Sequence, residues 1–146
     1  MLLKLINMKK ILIVLLILII QINVEAQSIK QKDKYGQPIV YIDGLTLKSK
    51  DKYGKSLYCF DGQTIKVKDK YGESIYFLDG NIVRVKDKYG MPLYYFDGQT
   101  IREKDKYGQA LYFVDEQYVR VKDKYGMSIY YFEGIPEKWG IVCLIR

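Results

Sequence analysis

Histidine is absent from all 146 residues, and cysteine (two), tryptophan (one) and proline (three) are scarce. Without histidine the chain lacks the commonest general acid–base and the commonest metal-binding ring. Two cysteines allow one disulfide at most, which excludes a cystine-built framework. Long apolar runs are missing as well. The longest, Ile11 to Ile20, has ten residues, half of the ~20 that a membrane-spanning helix needs. A chain of this length makes one domain.

The first 26 residues stand apart. Met8-Lys9-Lys10 is basic, Ile11–Ile20 is apolar, and Val24-Glu25-Ala26 ends in a small residue. Basic, apolar, small is the order of a secretory signal peptide, and it predicts cleavage between Ala26 and Gln27. Residues 1–26 are therefore read as a signal helix and 27–146 as the mature domain, with no transmembrane segment of its own. The protein is expected in the periplasm, on the cell surface or secreted. Losing Lys4, Lys9, Lys10 and Glu25 lowers the formal charge from +7 to about +5.

What the sequence has in abundance is repetition. Lys-Asp-Lys-Tyr-Gly recurs at 32–36, 50–54, 68–72, 86–90, 104–108 and 122–126, with a constant period of 18. Numbered from its first lysine, the unit reads K-D-K-Y-G-x-x-[IL]-[YV]-x-[FILV]-[DE]-[GE]-x-x-[ILV]-[KR]-x, and the sixth copy lacks its last quarter. A fixed short period decides fold class before propensity does. Two turn signals punctuate each unit. Asp-Gly (43–44, 61–62, 79–80, 97–98) sits between β-rich runs, a hairpin signature expected to form a type I′ turn. Asp115-Glu116 replaces it once and is expected to be strained or longer. Asp-Lys-Tyr-Gly has the Asp-first, Gly-fourth preference of a type I turn.

The expected fold is all-β: six tandem 18-residue hairpins in an antiparallel array, closed radially or left as an open stack. Each unit is expected to hold a strand of about four residues, such as 75–78, and one of six or seven, such as 83–88. Ser28-Ile29-Lys30-Gln31 matches the end of a unit, so the mature domain should open on a strand. Residues 139–145, after Pro136, read as an atypical closing strand, the kind of end that a repeat array needs. The architectural rival is a parallel β-helix. It would want a six- or nine-residue sub-period, whereas the glycines here are spaced eight and ten apart.

The segment [YF]-[FILV]-D-G-x-x-[ILV]-[KR]-x-K-D-K-Y-G-x-x-[IL] resembles the hairpin units of five-fold β-flowers, exported bacterial proteins, and the resemblance runs from Ser28 to Gly134, nearly the whole mature chain. That resemblance implies hairpins radiating about an axis and carries no catalytic residues. Tyr-Tyr-Phe-Asp-Gly (94–98) is also similar to choline-binding and MORN-type repeats. A choline cage wants a tryptophan in each repeat, and Trp139 is the only one.

Strand alternation sorts the charge. Unit position 17 supplies Lys30, Lys48, Lys66, Arg84, Arg102 and Arg120. Positions 1 and 3, taken as a continuation of the same strand, supply twelve lysines on the same face. Lys48, Lys50, Lys66, Lys68, Arg84, Lys86, Arg102, Lys104, Arg120 and Lys122 are accordingly the candidate polyanion-binding residues, with position-10 aromatics beside them. The opposite face carries Leu47, Ile65, Val83, Ile101 and Val119 next to Val67, Val85 and Val121, the expected core stripe. The aspartates fall at turns, where Asp bonds its own backbone rather than acting as a base. No metal-loop spacing occurs, so no cofactor, metal or catalytic residue is assigned. Cys59 and Cys143, far apart in an open stack, are expected to stay unbridged.

The functional expectation is a non-enzymatic structural or interaction module of the cell envelope or exterior. The alternative is a polyanion- or glycan-binding protein. Its partner would be an envelope polyanion, a glycan or another envelope protein, with no specific recognition of nucleic acid.

Overall fold

The computed structural model describes residues 1–19 and 26–145. An N-terminal helix, α1 (Leu2–Ile19), is followed by twelve strands and a short C-terminal helix. Residues 20–25, which include most of the expected signal-cleavage motif, lie outside the described residues; Ala26 directly precedes the first strand. No described helix is long and apolar enough to cross a membrane.

The strands are β1 (Gln27–Gln31), β2 (Pro38–Asp43), β3 (Thr46–Ser49), β4 (Ser56–Phe60), β5 (Thr64–Val67) and β6 (Ser74–Asp79). They continue with β7 (Ile82–Val85), β8 (Pro92–Asp97), β9 (Thr100–Glu103), β10 (Ala110–Asp115), β11 (Tyr118–Val121) and β12 (Ser128–Phe132). Each pairs antiparallel with its sequence neighbours, and β1 pairs with β12, which closes a twelve-stranded barrel. The open stack and the parallel coil are both excluded. One register shift per unit, after position 16 at each Lys-Asp-Lys-Tyr-Gly connection, bulges the sheet. Bulges add twist and help a sheet curl into a ring.

Six copies become six equal hairpins because the chain ends complete one another. Copy six stops at Gly134, and β1 supplies the missing second strand. Ile29 faces Phe132, Lys30 faces Tyr131 and Gln31 faces Tyr130. That is the register of a covalent hairpin such as β10–β11, where Val119 faces Val114 and Arg120 faces Phe113. The Gln27 side chain stands in for the missing turn. Its Oε1 accepts from the Gly134 N–H at 3.1 Å, and its Nε2 donates to the Ile135 carbonyl at 3.1 Å.

The interior is lined by positions 9, 11 and 16. Ile29, Leu47, Ile65, Val83, Ile101 and Val119 form a complete ring at position 16, each at most 1% exposed. The core stripe was thus placed correctly, except that Val67, Val85 and Val121 reach the barrel mouth and stay about 40% exposed. The expected closing strand at 139–145 does not form. Lys138–Leu144 is instead a helix, α2, with Trp139, Gly140, Ile141, Val142 and Cys143 buried. With β1 in place the ring has no free edge to accept another strand. A buried segment must then satisfy its backbone internally, and a helix does so. Trp139 stacks on Phe60 at 5.4 Å, and a Cβ on Gly140 would come within 2.9 Å of Ile42. α2 is a plug.

The two turn types gather at opposite ends of the barrel. At the Asp-Gly end, Asp43 pairs with Thr46 and Asp79 with Ile82, so the two-residue loops begin at the glycine. Gly44, Gly80 and Gly98 have φ near +60°, and the residues after them do not. Positive φ at the first loop residue alone marks a type II′ turn in these three, not the expected type I′. The Asp61-Gly62 loop differs, with Gly62 at φ +101° and the Asp61 carboxylate accepting from the Gln63 and Thr64 N–H groups. Glu116 takes the glycine's place in copy five with φ +52° and no change of loop length. It is strained rather than longer.

Candidate interaction surface

The strands expected to be the longer of each unit are the shorter: they end at position 18, three residues sooner than alternation implies, while the expected four-residue strand over 75–78 is the six-residue β6. Lys32, Lys50, Lys68, Lys86, Lys104 and Lys122 all have φ between 61° and 73°, which turns the backbone out of the sheet immediately after position 18. The expected strand over 83–88 is therefore β7, Ile82–Val85. The ten candidate basic residues do not form adjoining columns on one face, and they split into two sets.

Lys48, Lys66, Arg84, Arg102 and Arg120 lie on the outer wall beside the position-10 side chains. Each pairs with the Asp of its own hairpin, at 2.8 Å for Lys48–Asp43 and 3.0 Å for Arg102–Asp97. At the seam Lys30 pairs with Glu133 at 2.6 Å, joining the two chain ends in the same way. The three arginines also donate to the glycine carbonyl of the next loop, and Lys30, Lys48 and Lys66 to the carbonyl of position 3. Six cations meet six carboxylates, so this belt is neutral.

Lys50, Lys68, Lys86, Lys104 and Lys122 belong with Lys32 to a crown formed by the six Lys-Asp-Lys-Tyr-Gly loops. Backbone bonds fix each loop. In the first, Lys32 N–H donates to the Ile129 carbonyl, Asp33 N–H to Gln31, and Gly36 N–H to Asp33 at 2.9 Å. The Asp33 carboxylate accepts from the Tyr35 N–H at 2.8 Å, an Asx turn. The glycine is required by close approach rather than by dihedral: a Cβ on Gly90 would sit 1.6 Å from the Val85 carbonyl oxygen. Adjacent loops are tied through hydroxyls, Ser56 donating to the Lys68 carbonyl and Ser128 to that of Lys32 across the seam.

Those bonds leave three side chains of every loop facing solvent: the lysines of unit positions 1 and 3 and the tyrosine of position 4. Tyr35, Tyr53, Tyr71, Tyr89, Tyr107 and Tyr125 are 83–85% exposed. The preceding lysine's Nζ lies 4.9–5.0 Å from each ring centroid, a cation–π distance repeated six times. Twelve lysines oppose six aspartates in these loops, so the crown carries the net positive charge of the repeat array. A groove of about 760 Å³ lies at the seam between the first and sixth loops, with Lys32, Tyr35 and Met127 on its walls. Smaller ones, about 410 and 510 Å³, lie against the third and fourth loops.

Behind the crown, inside the barrel, position 9 contributes Tyr58, Tyr76, Tyr94, Tyr112 and Tyr130. Tyr130 and Tyr94 donate to the Leu144 and Ile145 carbonyls at 3.1 and 3.5 Å, capping the end of α2. Burial, with Tyr76 and Tyr112 adjacent, pushes the Tyr94 hydroxyl above its usual pKa. Cys59 lies on the outer wall and Cys143 is buried on α2, so the barrel wall separates the two thiols and no disulfide joins them.

The crown tyrosines are the residues that reading for charge alone missed. Their signal was present: an aromatic residue between Lys and Gly in a turn has no strand face to bury against. Comparison with protein-family models, curated proteins and solved structures gives no match for this chain.

Proposed function

We propose that the chain is an exported, non-enzymatic interaction module of the cell envelope or exterior. It binds anionic partners through the Lys-Asp-Lys-Tyr-Gly crown, and the barrel is the scaffold that arrays six copies of that loop. The five-fold β-flowers that the repeat resembles are exported too, in keeping with this reading.

The observation that carries it is a mismatch between what the loop needs and what the six copies keep. The aspartate of position 2 and the glycine of position 5 are needed, one for the Asx turn and one for its missing Cβ. The side chains at positions 1, 3 and 4 take no part in the loop's hydrogen bonds, yet they are Lys, Lys and Tyr in all six copies. Packed positions drift meanwhile: position 16 alternates among Leu, Ile and Val, and position 10 among Tyr, Phe and Cys. The position-1 lysine even holds a left-handed conformation that costs a side-chain-bearing residue about 1–2 kcal/mol. Strain kept at an exposed cation points to use of the cation.

Retention on heparin tests the proposal. The expected result is elution well above physiological salt, weakened when the position-1 and position-3 lysines of several loops become Gln and unchanged by Lys48→Gln on the neutral belt. Elution at or below physiological salt overturns it. Sequencing the N-terminus of protein recovered after export tests the address: the first residue is expected to be Gln27.

A further inference from the structure

We infer that the crown docks flat on an anionic lipid surface, with all six loops in contact at once. This deepens the anion-binding reading and rests on it. Four observations favour a plane over a linear polymer.

The first is arrangement. Six equal hairpins closed into a ring put six equal loops at one end. Twelve strands at ~4.8 Å spacing and ~40° tilt give a ring roughly 24 Å across, with neighbouring loops about 12 Å apart. A linear chain crossing such a ring meets two or three loops. A plane meets all six, and linked weak contacts multiply.

The second is that the chain's other described connections lie at the opposite end. β1 runs from the Asp-Gly end toward the crown, so the chain enters the barrel opposite the crown. The 133–137 connection into α2 leaves β12 at the Asp-Gly end as well, where Lys138 reaches the Gly80 carbonyl.

The third is chemistry. Each loop pairs a protruding tyrosine with two lysines, and Met91 and Met127, 74% and 68% exposed, add apolar tips to the same end. Tyrosine is enriched at the headgroup level of bilayers, where its ring is half apolar and its hydroxyl wet. Lysine beside it meets lipid phosphate. A soluble polyanion would use the lysines and gain little from six rings held in water.

The fourth is that the wall is unsuited to lipid. Its strands have four to six residues, its outer face carries the ion-pair belt, and its apolar side faces inward. A spanning barrel needs about 9–11 residues per strand and an apolar exterior. The molecule is built to sit on a membrane, not in one.

The experiment is co-sedimentation of the processed, exported protein with vesicles of phosphatidylcholine alone or with phosphatidylglycerol, near physiological salt. Heparin retention runs in parallel. Preference for the anionic vesicles by at least tenfold is expected, falling about fivefold for each crown charge removed. Changing all six crown tyrosines to Ser should reduce vesicle binding at least tenfold and leave heparin retention unchanged. Tyr53→Ser, Tyr89→Ser and Tyr125→Ser together serve as a milder variant if the full set does not fold. Heparin retention without vesicle binding overturns the membrane inference and leaves the anion-binding function standing. Failure to bind either overturns both. Equal binding to the two vesicle types, or vesicle binding that ignores the tyrosines, overturns the membrane inference.

Discussion

If β1 is a true stave of the ring, removing its core side chain should cost as much as removing the same one in mid-array. Ile29, Ile65 and Ile101 all occupy position 16 and are all 0% exposed. They differ in covalent context: Ile65 and Ile101 sit within intact hairpins, whereas Ile29 is held to β12 by pairing alone at the seam. Truncating a buried Ile to Ala costs 2–5 kcal/mol, here about 3 for a site that packed neighbours cannot refill. A domain of this size has roughly 6–15 kcal/mol in total. With a urea slope of about 1.5–2 kcal/mol per molar, Ile29→Ala should lower the unfolding midpoint by about 1.5–2 M at unchanged slope. Ile101→Ala should do the same within about 0.5 kcal/mol. Equilibrium urea unfolding followed by tyrosine and tryptophan fluorescence reads both. A cost below about 1 kcal/mol for Ile29→Ala beside a full cost for Ile101→Ala would refute closure by the N-terminal strand. The ring would then be open between β2 and β12, with two unpaired edges.

Two further outcomes follow from strained and titrating groups. Glu116→Gly should stabilise by about 0.5–1 kcal/mol, raising the melting temperature by about 2–4 °C, because φ +52° costs Glu more than glycine's extra chain entropy costs on folding. Glu116→Ala should bring no gain, since any Cβ meets the same penalty. Tyr94 holds its proton more tightly folded than unfolded, through burial and then its tyrosine neighbours. Its share of stability is present below pH 10 and is lost as pH rises through the folded value, where the unfolded chain has already released the proton. Urea midpoints from pH 9 to 11 should fall less steeply in Tyr94→Phe; an identical slope would refute the assignment.

The repeat made most of the barrel legible, and its failures have local causes. The type I turn at Asp-Lys-Tyr-Gly, the opening strand at Ser28 and the inward ring at position 16 were readable because Asp, Gly and the β-branched residues each state a conformational preference. Lysine states none. Nothing in a Lys side chain announces φ near +65°, so alternation ran on through Lys86 and set Lys86 and Lys88 beside Arg84 on the wall. One residue's dihedral moved twelve lysines from a sheet face to a crown. The seam was half visible, since Ser28–Gln31 matched a unit's end. That copy six lacks that same end becomes decisive only when the ring closes.

Residues 139–145 misled for a deeper reason. Trp-Gly-Ile-Val-Cys-Leu-Ile has strand composition and carries a mid-helix glycine, and it is helical because of the number of repeats. A barrel of about eight strands fills itself with its own side chains. Twelve strands enclose a ring roughly 24 Å across, and facing side-chain layers of about 6 Å leave an axial space of about 12 Å, the full diameter of a helix. Six hairpins thus create both the void and the absence of any edge on which a thirteenth strand could pair. Local propensity, worth tenths of a kcal/mol per residue, yields to burial of Trp139, Ile141, Val142 and Ile145, which at about 25 cal/mol per Å² is worth several kcal/mol. Even Gly140, the poorest helix former in the segment, fits the close passage of α2 past the Ile42 side chain, 2.9 Å from where a Cβ would stand. The plug and the copy number are one solution to one packing problem, and it is that closed ring which sets six identical loops in a plane.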